Sequence, residues 1–145
     1  MTAVKSTVAV ASLSETARRF LAAPRFAVVA TQNKDGSPLQ AVVRYKVEGD
    51  TVLFNSRLGR LWPANLQRDR RVSMAVADGY DYVEMRGDVE IDEDPVRGQA
   101  VIADLARRYH KDEAAAAAQI EGFAKQRRVT FALRPTRVFE RFSGR

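Results

Sequence analysis

The stretch 51–71, TVLFNSRLGRLWPANLQRDRR, decides how the rest of the chain is organised. It reads as a strand, a short basic turn and a helix. Val52, Phe54 and Ser56 alternate with Thr51, Leu53, Asn55 and Arg57, so the two sets face opposite sides of a strand. Gly59 breaks the strand, and Pro63 suits the first turn of a helix, where its missing N–H costs nothing. Ala64, Leu66 and Gln67 carry the helix to Asp69. A helix start leaves N–H groups unpaired and carries partial positive charge. Ser56, Arg57 and Arg60 lie just before it, a combination that suits an anion, most simply a phosphate. A plain strand–helix corner with two solvated arginines fits the same residues.

Working outward, residues 14–23 read as a helix, with Ser12 and Glu15 at capping-box spacing and Pro24 as the stop. Residues 25–32 contain the apolar run FAVVAT, a strand covered on both faces. Asp35-Gly36 makes a hairpin turn, and 37–48 returns with Leu39, Ala41, Val43, Tyr45 and Val47 on one face. With the 51–57 strand this predicts an antiparallel meander. Downstream, 71–77 and 82–91 are strands; Gly87 falls on the apolar face of the second and marks a bulge or a close backbone approach. Helices follow from Asp94-Pro95 and over 114–123, then a final hairpin of 127–134 and 136–142 hinged at Pro135. Six to seven antiparallel strands with inserted helices, a mainly β (α+β) chain, suggest a small barrel, which removes exposed edges.

The bulk numbers restrict the chemistry. A chain of 145 residues, 46% hydrophobic, makes one domain (1–145) with a proper core. It has no cysteine, which excludes disulfides and thiol catalysis and makes the cytoplasm the expected location. The single histidine, His110, rules out a multi-histidine metal site, and no metal is expected. No apolar run approaches the roughly 20 residues of a membrane span, so no membrane partner is expected. Residues 1–12 read as a tail or an added strand rather than a signal peptide. The net charge of +6 suits an anionic cofactor or substrate. Its basic residues are dispersed, whereas a nucleic-acid binder more often shows one continuous stripe, so no nucleic acid is expected. The run Lys125, Arg127, Arg128 reads as wet surface, although an acidic cofactor tail could use it.

Several short motifs occur in a telling order: Ala30-Thr31 with Asp35-Gly36-Ser37-Pro38, then Leu53-Phe54-Asn55-Ser56, Gly59-Arg60, Trp62-Pro63-Ala64-Asn65-Leu66, and Tyr82-Val83-Glu84-Met85-Arg86-Gly87. With these, from about Ser14 to Phe142, the chain resembles the split-barrel superfamily of flavin and deazaflavin proteins (pyridoxamine 5'-phosphate oxidase-like), and within it the small branch of oxidoreductases that use coenzyme F420. The resemblance implies a homodimer of split barrels with cofactor sites at the interface. It implies that Ser56 and Arg60 hold the cofactor phosphate, and that backbone near Val42, Val43 and Arg44 lies along a tricyclic ring. Asn55, Trp62 and Asn65 join the implied cofactor set, and Tyr80 and Tyr82 are substrate-lining candidates. Many relatives place a lysine where this chain has Trp62, so one phosphate-pairing cation is missing and both F420 and FMN stay open. Trp62 itself suits either a ring-facing position or an interface core. The implied activity is hydride transfer between a reduced deazaflavin and a small conjugated organic acceptor. An FMN-binding oxidase-like protein and a carrier without turnover are the alternatives. No catalytic side chain stands out; Glu84, like Tyr82, reads as a solvent-facing strand residue that could border the site, and His110 as a helix-end residue that could serve as an acid.

Overall fold

The structure, a computed structural model, describes residues 11–143, so the expectation of a 1–12 tail lies almost wholly outside the described residues. In chain order the elements are α1 (Glu15–Ala22), β1 (Ala27–Gln32), β2 (Pro38–Val43), β3 (Lys46–Glu48), β4 (Thr51–Arg57), α2 (Leu61–Arg68), β5 (Arg71–Asp78), β6 (Asp81–Asp92), α3 (Pro95–Tyr109), α4 (Glu113–Phe123) and β7 (Arg128–Arg141). The strands form one antiparallel sheet in the order β2-β1-β5-β6-β7-β4-β3. The two edge strands are consecutive in sequence. The sheet therefore curls into a barrel whose edges are joined by Arg44 and Tyr45 and not by a ladder, which is the split-barrel architecture.

That break corrects the meander. The expected single return strand is two strands, β2 pairing with β1 and β3 with β4. Tyr45 turns inward at the break and is fully buried. Its hydroxyl donates to the carbonyls of Leu21 (3.0 Å) and Ala23 (3.1 Å), tying α1 across the opening. The Tyr45 N–H donates to the Tyr109 hydroxyl (3.1 Å), which in turn donates to Arg25 O (2.5 Å). A buried N–H outside any ladder thus finds a side-chain partner.

The terminal hairpin is also corrected: β7 is one continuous strand. Its first half pairs with β4 and nearly its whole length with β6. Pro135 is accommodated because the β6–β7 register shifts between Arg86 and Gly87, opposite it. Of the two readings of Gly87 the close backbone approach holds, since a Cβ there would stand 2.7 Å from Arg134 O; the extra residue of the irregularity is Thr136, on β7. Two smaller expectations shift. The cap of α1 is Ser14, whose hydroxyl accepts from Ala17 N–H, so the Ser12–Glu15 spacing is unused. Helix α2 starts two residues earlier than Pro63, with Arg60 as N-cap.

The inner face carries the core. Phe54 and Phe131 are ladder partners whose rings stack at 5.4 Å. Trp62 and Leu66 of α2 close over them beside Met74 and Met85. The β4 alternation is real, yet both of its faces are covered: Val52, Phe54 and Ser56 face the barrel, while Leu53 and Asn55 lie under α3, and Asn55 bonds to Gly98 of that helix. Val101, Ile102 and Leu105 of α3 form a second small cluster with Tyr109 and Phe123. Among the described residues no helix is long and apolar enough to cross a membrane.

The Tyr109 hydroxyl stitches the break, so its loss leaves the buried Tyr45 N–H without a partner. Tyr109→Phe is expected to lower unfolding free energy by about 1–3 kcal/mol in urea titrations; an unchanged midpoint would show the stitch to be unnecessary.

Candidate functional site

At the end of the β4–β7 ladder the chain brings like charges together. Arg57 and Arg128 are direct ladder partners, where opposite charges or apolar pairs are the stabilising choices. Gly59, at φ 101°, swings the chain from β4 to Arg60, which occupies the N-cap of α2 with no side-chain cap bond. A helix start without a side-chain cap and three guanidinium groups thus occupy one corner. Arg18, Arg71, Arg86 and Arg134 each reach a carboxylate. Arg57, Arg60 and Arg128 reach none among the described residues.

Arg128 is the most constrained of the three. It is only 6% exposed. Its Nε donates to Asn55 Oδ1 (2.9 Å) and its Nη1 to Gln126 Oε1 (2.6 Å), while Phe123 lies under the guanidinium at 4.6 Å. Burial first, then the charges of Arg60 and Arg57, pull its pKa down to about 10.

A cavity of about 280 Å³ opens beside this corner, lined by Val42, Val43, Arg44, Asn55, Arg60, Trp62 and Arg128, and roofed by Ile102, Leu105, Gln119 and Phe123 from α3 and α4. Six of the eight residues expected to hold a cofactor line it. Val42 is 67% exposed on the outer face of β2, an apolar surface beside the charges. Arg44 donates to Gln119 Oε1 (2.7 Å), which also contacts His110 Nε2 (2.8 Å), so His110 sits one residue behind the cavity wall.

Two expected residues do not line the cavity. Ser56 faces the barrel interior, 2% exposed, with its hydroxyl donating to Arg57 O (3.0 Å). Asn65 projects toward the first hairpin, donating to Thr31 Oγ1 (3.1 Å) and Asn33 Oδ1 (2.9 Å). There it borders a separate hollow of about 680 Å³ with Lys34, Leu61 and Arg68. Trp62 packs against Phe54 (5.7 Å) and Phe131 (5.3 Å) in the core, is 6% exposed, and also lines the cavity.

Tyr80 and Tyr82 lie elsewhere, at the β5–β6 turn. Tyr82 belongs to the outer sheet face, where ladder partners align Val42, Val28, Ala75, Glu84 and Phe139 in one row across five strands. Glu84 is tied there to Ser73 and Arg86. Val28, Tyr82 and Phe139 are each more than a third exposed, leaving this face substantially apolar. The sequence reading left the roof from α3 and α4 unassigned and gave Arg128 only as part of a wet run that an acidic cofactor tail could use. Arg128 looked like part of a wet charge run because its neighbours Lys125 and Arg127 are exposed; strand parity sets it on the face opposite Val129, which is covered only because α3 packs there.

Comparison with known proteins agrees with this architecture. The model of the family described as Pyridoxamine 5'-phosphate oxidase matches residues 13–142. A solved structure called F420 Reductase is 27% identical, with a TM-score of 0.70 over 88% of this chain and 98% of that one. A conserved hypothetical protein from Mycobacterium tuberculosis superposes at TM-score 0.74, 24% identical, over 90% of this chain and 85% of that one. HupZ of Group A Streptococcus shares the fold at TM-score 0.67 and 17% identity, over 91% and 96%. No curated protein matches the chain.

Because Trp62 is core here, Trp62→Ala is expected to cost about 3–5 kcal/mol of stability in urea unfolding, the cost of emptying a packed aromatic site. A loss below about 1 kcal/mol would mean that the indole serves only as cavity lining.

Proposed function

We propose that this chain, which belongs to the pyridoxamine 5'-phosphate oxidase family, is an F420-dependent oxidoreductase. It would transfer a hydride between the reduced deazaflavin and a small conjugated organic acceptor. The observation that carries the reading is the carboxylate-free arginine corner beside the exposed apolar edge of β2. A phosphate needs forked cationic donors and free amides; a flat ring needs an apolar strand face. Both occur within one cavity, so the residues present fit such a coenzyme. The likeness to an F420 reductase, at 27% identity, favours the deazaflavin.

Each residue then has a defined task. Arg60 and the start of α2 hold the phosphate. Val42 and Val43 lie along the ring, and Ile102 and Leu105 keep water from its covered side. The reactive chemistry is supplied by the coenzyme when bound, and the protein contributes orientation and exclusion of water. That division suits a cavity whose lining has no carboxylic acid or histidine. The cavity is too small to enclose a whole coenzyme, and Val42 is open to the outer face. A second copy of the chain would complete the site. The outer row Val42, Val28, Ala75 and Phe139 gives such a copy an apolar surface, and Glu84 beside Arg86 and Arg137 gives it charges that pair with themselves across a two-fold axis.

The arginine corner would grip FMN equally well, which keeps FMN as the second reading. Parallel fluorescence titrations with F420 and FMN, then an acceptor screen with the coenzyme that binds, separate these readings from a carrier that binds without turnover. Arg60→Ala is expected to weaken coenzyme binding about tenfold or more, the worth of a charge-assisted bond. Unchanged affinity would remove Arg60 from the site.

A further inference from the structure

We infer that Arg128 is a phosphate-binding residue and Asn55 its positioning residue, so that the anion is gripped from β7 as well as from the β4–α2 corner. This rests on the coenzyme reading above and goes further, because it assigns the cation that Trp62 does not supply.

Three observations carry it. First, a buried cation is costly unless something compensates it, and a hydrophobe of like size in the same slot would often be better for stability. Arg128 is buried beside two further arginines, with no carboxylate in reach among the described residues. Second, its partners are neutral. Asn55 Oδ1 and Gln126 Oε1 fix the direction of the guanidinium without cancelling its charge. Asn55 is itself locked, since its amide donates to Gly98 O (3.1 Å) and Thr130 Oγ1 (3.2 Å). Third, α3 is fitted to this arginine. A Cβ at Gly98 would stand 2.2 Å from Arg128 O, so only glycine lets the helix lie against the start of β7 and shield the arginine stem. The result is an oriented, uncompensated positive charge on a cavity wall, next to Arg60. That is the arrangement a phosphate oxygen needs and a structural arginine does not.

The test separates a phosphate contact from general damage by using ligands that differ in the phosphate. The full chain is titrated calorimetrically with F420, FMN and riboflavin, the last lacking the phosphate. Arg128→Gln should weaken the phosphate-bearing ligands about tenfold or more and move riboflavin less than about twofold. Asn55→Ala should show the same split at smaller size. Arg128→Lys, which keeps charge and stem but loses the fork, should fall between, and it serves if the glutamine variant does not fold. Wild-type affinity for F420 and FMN in both Arg128 variants, or an equal loss for riboflavin, overturns the inference while leaving the coenzyme reading intact. If wild-type protein binds neither coenzyme, that reading fails and inorganic pyrophosphate decides for Arg128. Pyrophosphate raising the melting temperature of wild type but not of Arg128→Lys supports the anion role; no rise in wild type overturns it.

Discussion

Repulsion among Arg57, Arg60 and Arg128 is the constraint around which the rest of the molecule is arranged. No carboxylate pairs with any of the three among the described residues, and Asp69, Glu84 and Glu90 pair instead with Arg71, Arg86 and Arg134. The fold pins the three groups at the end of a ladder whose other positions are fixed by the packing of Phe54 on Phe131. Sliding β4 past β7 to separate the arginines would expose that pair, since a one-residue slip turns every side chain to the opposite face. The charge is therefore held in place by hydrophobic burial some distance along the same strands. An anion supplied from outside is the natural relief.

The opening of the barrel serves the same end. A closed ladder between β2 and β3 would engage the backbone edge at Val43 to Lys46 and leave no room for the chain to turn there. Instead the chain passes between the two edges through Tyr45, which is secured to α1 and to Tyr109 by its own hydroxyl and N–H. The last residues of β2 are left beside the arginine corner with their outer face free. One structural feature thus places an apolar strip and a cationic corner side by side, which is what a planar coenzyme with an acidic end requires.

Much of this was legible in the residues. Elements with strong local signals were readable: the Asp35-Gly36 hairpin, the Asp94-Pro95 helix start, the close backbone approach at Gly87. Those that depend on distant packing were not. A strand broken in the middle looks like one strand, because Arg44 and Tyr45 continue the alternation while the chain bends between two edges. Pro135 looked like a hinge because a proline cannot donate to a ladder; the β6–β7 register shift beside it, which leaves Thr136 unpaired, depends on the partner strand and removes the conflict. In the site, Arg60 was readable from its position before a helix. Ser56 has the same neighbourhood in sequence, but strand parity turns it inward. Asn65 is carried by α2 to the other side of the helix, toward Asn33. Arg128 was hidden by exposed basic neighbours, and its role depends on Asn55 and Gly98, 73 and 30 residues away along the chain.

A crystal structure of the protein with F420 or FMN bound tests the central claim most directly. The account predicts phosphate oxygens within hydrogen-bond distance of Arg60 and Arg128, with the ring along Val42 and Val43. A phosphate seated instead in the hollow between the first hairpin and α2, against Lys34 and Arg68, would contradict it.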